Sequence, residues 1–331
     1  MATLRSCSLA QVAHAADVAL STASLALRDS PRVLPATKER IQAVAARLGY
    51  QPDLRVASLM ARIRRNAALR DREHLAFVWV STTKRESQQH DFPISLRQGA
   101  RTRAEQLGCV LSEFWLNDEG MSARRLEQIL GARGITGVIF SAPLHDMEVR
   151  IDWDWSHFAG AVIGNTNWTP NLHRVAHHHY RSMWTTMEHL RGEGSQRPAA
   201  LLHEAHHRRL HGVQWAAFVA NHPQPALAPA MARFDRPADP GELRGWFRRI
   251  RADALILSLG QDRPTVEKLR QLSGIRRVVA LDYTGSAPGV DMRHDLIAAT
   301  AVETVVAQLH RNERGIPRLP STLLLEGEWR E

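Results

Sequence analysis

The sequence has few cysteines and no long apolar segment. Its 331 residues include two cysteines, Cys7 and Cys109, which is too few for a disulfide framework or a cysteine metal cluster. No run of about 18 apolar residues is present, so no membrane-spanning helix is expected. The N-terminus lacks the apolar stretch and cleavage site of a secretory signal, and we therefore expect a cytoplasmic protein with no membrane partner.

The length and the charge distribution indicate several domains, of which one is basic. A chain of 331 residues with 44% apolar content suits about two or three domains. Residues 1–72 hold 12 Lys and Arg against 5 Asp and Glu, whereas residues 73–331 hold 31 against 29. A cluster of positive charge at one end of a chain is typical of proteins that neutralise nucleic-acid phosphates. A surface can also be basic for solubility alone.

The first residues have the pattern of a helix-turn-helix. A first amphipathic helix is predicted from apolar residues at helical spacing, namely Leu9, Val12, Ala13 and Ala16. Ser8 and Gln11 have the spacing of a capping box at its start. Asp17 follows where the chain must turn, and Asp tolerates the left-handed conformation better than most residues. A second short helix begins near Ala19, which completes the arrangement.

A third helix and a short fourth one follow. Pro35 suits a first helical position, and Gly49 ends the predicted third helix. Its expected buried stripe consists of Ile41, Val44, Ala45 and Leu48. Residues 53–65 form a further short helical stretch in which basic residues accumulate towards the end.

Several short segments of the first sixty residues occur in a fixed order and spacing. They are Leu9-Ala-Gln-Val-Ala-His-Ala-Ala-Asp-Val18, Ser21-Thr-Ala-Ser24, Pro31-Arg-Val33, Thr37-Lys-Glu-Arg40, Leu48-Gly-Tyr50-Gln-Pro52 and Leu59. In this arrangement they resemble the DNA-binding headpiece of the LacI family of bacterial transcription regulators. The alternative interpretation is a three-helix bundle without a role in DNA binding.

The resemblance implies which residues contact DNA. Leu20, Ser21 and Leu25 occupy the positions with which the family reads bases in the major groove. The commonest family pattern has an Arg at the last of these, and Leu25 cannot make the bidentate contact of an Arg to guanine. Leu25 could instead be a core contact of the helix.

Further positions are implied to contact the DNA backbone or the minor groove. The backbone positions are Ser8, Leu9, Thr22, Ser24, Arg28, Arg32 and Thr37. Leu59 matches the hinge-helix leucine that the family inserts between base pairs, and two such hinges side by side require a homodimer. A leucine in a short helix could also simply be buried. Ala19 and Leu34 stand where the family has a capping Ser, so these two helix starts should be weaker by about 1 kcal/mol each.

The remainder of the chain alternates between apolar strand-like runs and amphipathic helices. This pattern predicts parallel sheets with helices on both faces, which bind ligands at the carboxyl ends of their strands. We therefore expect a small all-α helix-turn-helix headpiece at 1–52 and a hinge helix and linker at 53–72. An α/β effector-binding and dimerisation domain is expected at 73–331, with two doubly wound parallel-sheet subdomains of periplasmic-binding-protein-like type.

The resemblance also implies two effector-binding residues. Arg209 matches the Arg that holds effector oxygens, and Asp282 matches the acidic residue that accepts sugar hydroxyls. An Arg fork beside a carboxylate suits a polyol or sugar. Other family contacts are replaced, one pair by Leu259 and Gly260 and one Gln by Met292. Arg209 and Asp282 could instead form a structural ion pair.

One motif favours a different chemistry. His203-Glu-Ala-His-His207 has the H-E-x-x-H spacing of zinc proteases, and His211 stands one turn further on. The motif requires a helix that brings both imidazoles to one face, but here it directly follows the strand-like Ala199-Ala-Leu-Leu202. We interpret His177, His178 and His179 as a polar loop rather than a metal site.

The function predicted from these patterns is that of a transcription regulator, and specifically a repressor. It binds a pseudo-palindromic double-stranded DNA operator as a homodimer and responds to a small sugar or sugar-like effector in the large domain. We expect no enzyme activity, catalytic residue, cofactor or metal. A solute-binding protein is one alternative, and a zinc hydrolase using His203, Glu204 and His207 is another.

Overall fold

The chain divides into two compact units, Met1–Arg72 and Glu73–Glu331. The structure, a computed structural model, describes residues 9–27, 33–48, 50, 72–143, 148–235, 240–258 and 262–331. The predicted boundary at residue 52 and the hinge at 53–72 fall almost wholly outside the described residues. The division of function among these segments therefore stays a prediction.

Three helices form the described part of the first unit: α1 (Leu9–Ala15), α2 (Leu20–Ala26) and α3 (Pro35–Arg47). Their shared core consists of small and medium apolar side chains, namely Val12, Ala13, Ala16, Ala23, Ala26, Val33, Ile41 and Ala45. Helices as short as α1 and α2 are marginal alone in water, so this buried surface stabilises them. Arg40 of α3 donates from Nη1 to the Ala16 carbonyl at 2.9 Å. Leu48, predicted to be buried, is 37% exposed because it lies at the C-terminal end of α3.

The turn between α1 and α2 has the predicted left-handed residue. Asp17 adopts φ 47°, and the Val18 N–H donates to the Ala13 carbonyl at 3.0 Å. Ala19 and Leu34 occupy the N-cap positions of α2 and α3 and supply no side-chain capping bond, as predicted. The capping box predicted at Ser8 lies outside the described residues.

The second unit alternates strands with helices. Its strands are β1 (His74–Trp79), β2 (Val110–Trp115), β3 (Gly137–Phe140), β4 (Val149–Arg150), β5 (Ala159–Ile163), β6 (Trp168–Thr169), β7 (His173–His177), β8 (Pro198–His203), β9 (Ala232–Asp235), β10 (Ala254–Leu257), β11 (Arg277–Ala280), β12 (Gly289–Asp291), β13 (Thr322–Leu325) and β14 (Glu328–Arg330). Its helices are α4 (Asp91–Gln106), α5 (Ala123–Ala132), α6 (His179–Gly192), α7 (Glu204–Arg209), α8 (Val213–Asn221), α9 (Ala228–Met231), α10 (Pro240–Ile250), α11 (Arg263–Ser273) and α12 (His294–His310).

Most strands belong to two six-stranded sheets. The first sheet has the order β13-β7-β5-β3-β1-β2, with every neighbouring pair parallel. The second has the order β14-β12-β11-β10-β8-β9 and is parallel except for the β12–β14 pair. β4 and β6 form a separate parallel pair. The predicted α/β class with two parallel sheets is confirmed.

Each sheet reverses its strand order once. In the first sheet β1 lies between β2 and β3, and in the second β8 lies between β9 and β10. Ligands of open α/β sheets bind at the carboxyl ends of the strands near such a reversal. The fold therefore predicts a ligand site at these strand ends.

Three segments connect the two sheets. The chain passes from β7 into α6, from β12 into α12, and from β13 into β14. α6 contributes Met183 and Met187 to the core of the second sheet, and α12 contributes Val302 and Val305 to the core of the first. At Gly327, in the last connection, a Cβ atom would lie 2.5 Å from Val290 Cγ1, so glycine is required there.

The sequence favours a helix near Leu210 to Ala220, and α8 begins three residues later, at Val213, because His211 and Gly212 adopt φ 49° and 76°. One local prediction was wrong. The predicted polar loop at His177–His179 is instead the end of β7 and the start of α6, and His177 and His179 are buried. Among the described helices, none is long and apolar enough to cross a membrane.

Candidate functional site

A cavity of about 250 Å³ lies where strand ends of the first sheet face strand ends of the second. From the first sheet, Pro143 follows β3, Thr166 follows β5, and His177 ends β7. From the second, Arg209 ends the helix that follows β8, and Asp282 follows β11. The cavity therefore lies at the strand ends where the fold predicts a ligand site.

The cavity has an apolar side and a polar side. The apolar lining includes Phe92, Pro143, Ile163, Leu210, Met292 and Ile297. The polar lining includes Thr166, His177, His179, His206, Arg209, Asp282 and His294. Apolar walls with a few converging polar groups are typical of small-molecule sites. Met292, which replaces a family Gln, is buried in this lining.

Arg209 and Asp282, the two residues predicted to bind effector, both line this cavity. Arg209 donates from Nη1 to the Pro143 carbonyl at 2.9 Å, so it joins the second sheet's helix α7 to the loop after β3. Burial raises the pKa of the Asp282 carboxyl, which His294 opposes and Asp291 reinforces. Their binding role remains a prediction.

Three imidazoles missed as site residues form a contiguous cluster on the cavity wall. The rings of His177 and His179 have centroids 5.0 Å apart, and those of His179 and His206 are 5.5 Å apart, both edge to face. His177 Nε2 contacts the Ser182 hydroxyl. The Nδ1 atoms of His179 and His206 are buried and have no hydrogen-bond partner, whereas a backbone hydrogen bond with Met292 acts on the His177 ring.

Burial keeps these imidazoles neutral. It lowers the pKa of His177 to about 3, helped by the nearby His294 and His178. It lowers the pKa of His206 to about 3 as well, helped by the Arg209 charge. The pKa of His179 lies well below its usual value, first through burial and then through the neighbouring imidazoles and Arg209.

His294 completes the histidine lining from the start of α12. Its ring meets Phe92 edge to face with centroids 4.7 Å apart. Burial lowers its pKa, and the carboxylates of Asp282, Asp291 and Asp295 oppose that shift. His294 therefore lies beside the acidic side of the cavity.

A wider polar groove of about 780 Å³ adjoins this cavity. The two spaces share Asn165, His177, His179 and Leu210. The groove also includes Trp168, whose buried Nε1 has no partner.

The H-E-x-x-H motif does not form a zinc-binding helix face. His203 ends β8, and its Nδ1 caps α7 by accepting the His206 N–H at 3.3 Å. Glu204 pairs with Arg208 at 3.1 Å, and the His207 ring packs on Phe234 with centroids 4.4 Å apart. Within the described parts of the chain, no group of three or more His, Cys, Asp or Glu residues is placed to hold a metal ion.

In the first unit, the predicted base-reading residues lie on α2. Leu20 is 53% exposed, whereas Leu25 is partly buried and packs against the core. Thr22 of α2 and Thr37 of α3 are partly buried. The side chains of Leu9, Ser21 and Ser24 are outside the description, and so are residues Ser8, Arg28, Arg32 and Leu59 altogether.

Residues 8–53 match a family model described as bacterial regulatory proteins, lacI family. The match contains α1, α2 and α3 of the described structure, so the predicted resemblance is confirmed for this segment. No curated protein sequence matches the chain at a significant level.

Solved structures share the fold of the whole chain. The lac repressor dimer bound to operator and the anti-inducer ONPF has a TM-score of 0.54 and 17% identity, with 99% of this chain and 98% of that chain covered. A transcriptional regulator CelR–cellobiose complex has a TM-score of 0.55 and 17% identity over 98% of each chain.

A third structure is similar to about four fifths of the chain. It is a periplasmic binding protein/LacI transcriptional regulator from Alkaliphilus metalliredigens QYMF complexed with D-xylulofuranose. Its TM-score is 0.53 at 12% identity, covering 78% of this chain and 97% of that one. At such identities the similarity establishes the fold alone.

Proposed function

We propose that the protein is a transcription repressor that binds a pseudo-palindromic operator as a homodimer and responds to a small sugar-like effector. The observation that carries this proposal is the lacI-family match at residues 8–53, which contain the described helices α1–α3. The lac repressor structure with the same fold is a dimer bound to operator. The excess of positive charge in residues 1–72 supports a DNA-binding role.

In this proposal, α2 enters the major groove. Leu20, Ser21 and Leu25 contact base edges, and Leu59 enters the minor groove. The backbone contacts come from Ser8, Leu9, Thr22, Ser24, Arg28, Arg32 and Thr37. Leu20 supports this orientation because an exposed leucine on the helix is available for an apolar contact with a thymine methyl group.

The effector part of the proposal concerns the cavity. Arg209 and Asp282 would bind effector oxygens there. Structures with the same fold include complexes with cellobiose and with D-xylulofuranose. The cavity lies between the two sheets of the second unit, so a ligand there contacts both and can change their separation.

Selection of bound sequences from a random DNA library tests the proposal with the full chain. Two symmetry-related headpieces must recognise related half-sites, so we expect an enriched inverted repeat. Leu20→Glu should abolish the enrichment, because it places a carboxylate against DNA. Leu319→Glu is the matched control, since Leu319 lies on the second unit and is 83% exposed. Enriched sequences without an inverted repeat would contradict the proposal.

A solute-binding protein is the second candidate function. Its support is the periplasmic binding protein/LacI regulator structure, which covers 78% of this chain. The same experiment separates the two functions, because a solute-binding protein should enrich no DNA sequence. The zinc hydrolase has no such support, since His203, Glu204 and His207 point to three different partners.

A further inference from the structure

Some polar side chains on the cavity wall have buried atoms without partners. Thr166 Oγ1 and the Nδ1 atoms of His179 and His206 have no hydrogen-bond partner, and the His177 ring lies beside His179. The four side chains are at most 8% exposed, and all of them line the cavity. An unpartnered buried polar atom is unfavourable, so a ligand that supplied the missing hydrogen bonds would stabilise this wall.

We propose that Thr166, His177, His179 and His206 form the ligand-recognition wall of the cavity and bind hydroxyl groups of an uncharged ligand about the size of one sugar ring. This inference rests on the effector site of the proposed function. It assigns ligand recognition to four residues besides Arg209 and Asp282, and it states that the ligand is uncharged.

A neutral imidazole is matched to a hydroxyl group. Each neutral ring has one N–H donor and one nitrogen acceptor, and a hydroxyl can likewise donate and accept. Burial holds the His177, His179 and His206 rings neutral by lowering their pKa values. Thr166 adds a hydroxyl with the same dual capacity. A polyhydroxylated ligand could therefore satisfy all four groups together.

The charges on the lining favour an uncharged ligand. Of the described residues around the cavity, Arg209 is the only Lys or Arg and Asp282 the only carboxylate. An anion would be desolvated beside Asp282, and a cation would be desolvated beside Arg209. Either charge would also be costly next to imidazoles that burial keeps neutral.

The cavity volume limits the ligand to a small molecule. At about 250 Å³ the cavity is below the range of about 300–1,000 Å³ that is usual for drug-sized ligands. Phe92, Ile163 and Met292 provide the apolar side against which one face of a ring can pack. A single ring with hydroxyls directed at the imidazoles fits both sides of the cavity.

A panel of uncharged sugars and their charged derivatives tests the ligand class. Thermal unfolding of the full chain is measured with D-glucose, D-galactose, D-xylose, D-ribose and D-sorbitol, and with D-glucuronate, D-glucosamine and D-glucose 6-phosphate. We expect at least one uncharged member to raise the unfolding temperature and the charged members to have no effect. The inference is overturned if no uncharged member does so, or if a charged derivative binds more tightly than its uncharged parent.

Two matched pairs of variants test the recognition wall with the sugar that binds. Thr166→Val and Thr186→Val each remove a buried hydroxyl without a partner, but only Thr166 lines the cavity. His206→Phe and His207→Phe change adjacent imidazoles of α7, of which only His206 lines it. We expect affinity to fall about 5- to 20-fold for Thr166→Val and His206→Phe. The controls should bind as the wild type does, and equal effects within a pair would overturn the assignment.

The pH dependence of sugar affinity tests whether the imidazoles bind the ligand in their neutral form. The groups that act on these imidazoles are His178, His203, His294, Arg209 and Asp291, and Asp282 lies across the cavity. We expect constant affinity between pH 8 and pH 5.5, because the three rings stay neutral over that range. Affinity that rises on acidification in the wild type and equally in Asp282→Asn would show that a protonated ring binds the ligand, which would overturn the inference.

The DNA experiment distinguishes failure of this inference from failure of the proposed function. An enriched inverted repeat together with a negative sugar panel would contradict only the ligand class and the recognition wall. A positive sugar panel without DNA enrichment would support the recognition wall and contradict the transcription regulator.

Discussion

Histidine side chains give the cavity its chemical character. His177, His179 and His206 lie on two connected elements of the second unit, and burial rather than pairing determines their charge state. Arg209 and Asp282 lie in the same lining, and burial raises the pKa of the Asp282 carboxyl. The cavity therefore combines neutral imidazoles with one guanidinium and one carboxyl group.

Acid should destabilise the second unit through these imidazoles. His177 and His206 have folded pKa values of about 3, below the usual unfolded value of about 6.5. Their contribution to stability is complete above pH 6.5 and is lost as the pH falls towards 3. At pH 5 each of the two imidazoles should lower the free energy of unfolding by about 2 kcal/mol relative to its value at high pH.

Urea denaturation at pH 7 and pH 5 measures this loss. The unfolding free energy of the wild type should fall between pH 7 and pH 5. We expect that fall to be about 2 kcal/mol smaller in His206→Phe, because this variant has no imidazole at position 206. His310→Gln, at the exposed end of α12, should keep the wild-type decrease. The same decrease in His206→Phe and in the wild type would show that this ring is protonated in the folded protein.

Leu25→Arg should change the base preference at one position of each half-site. An Arg can donate two hydrogen bonds to guanine, a contact that is worth about 1–3 kcal/mol of discrimination and that leucine cannot make. Leu25 is partly buried, and the aliphatic part of an Arg can cover the same surface while its guanidinium reaches outwards. DNA selection with Leu25→Arg and with the distant control Leu319→Arg separates base recognition from added charge. An unchanged motif in Leu25→Arg would show that position 25 does not face the bases.

At the scale of elements, strands with uninterrupted apolar runs could be predicted from the sequence. Gly137–Phe140 and Ala254–Leu257 are uninterrupted apolar runs and form strands with the same bounds, because central parallel strands are buried on both faces. β7 was missed because it begins with His173 and Arg174 and is buried only by its neighbours β5 and β13. Such burial depends on contacts between distant parts of the chain.

The same reasoning explains how much of the site could be predicted. Arg209 and Asp282 were expected at one cleft from the family resemblance, and both line the cavity. The imidazoles of His177 and His206 are 29 positions apart in the sequence, and only the strand order brings them together. The position of His177 at the carboxyl end of a parallel strand could have indicated it, had β7 been identified.

Gly99→Ala should destabilise the contact between α4 and α12. A Cβ atom at position 99 would lie 2.0 Å from the Asp295 carbonyl oxygen, which belongs to the backbone and cannot rotate away. We expect a loss of about 1–3 kcal/mol or more of unfolding free energy, as overpacking usually causes. Gly131→Ala in α5 is the matched control, because no atom lies within 4 Å of its Cβ position. That variant should gain up to about 1 kcal/mol from helix propensity. Equal changes in the two variants, measured by urea denaturation, would show that the two helices can separate at Gly99.

At the scale of the whole molecule, the excess positive charge and the cavity lie in different units. The first unit contains most of the excess positive charge, whereas the second is nearly balanced and contains the cavity. Three connections join the two sheets of the second unit, and the first two of them supply His177, His179 and His294 to the cavity. These residues therefore lie where the chain crosses from one sheet to the other.

Leu59→Ala should uncouple specific binding from DNA bending in the proposed homodimer. Leu59 lies outside the described residues, and its role follows from the resemblance of its position to the family's hinge leucine. Two such leucines inserted at one minor-groove step would unstack it and bend the operator, which allows each α2 to reach its half-site. The variant keeps every Lys and Arg, so weak non-specific binding should persist while specific affinity falls at least about tenfold.

Gel mobility with permuted site positions measures the bend on the DNA sequence obtained by selection. We expect wild-type protein and Leu319→Ala, an exposed leucine of the second unit, to bend the site equally. Leu59→Ala should lose most of the bend, and the unfolding temperature of the second unit should stay unchanged because residue 59 belongs to the other unit. Equal bending by the wild type and Leu59→Ala would exclude the minor-groove wedge. The specificity of the proposed dimer would then come from the major-groove contacts of α2 alone.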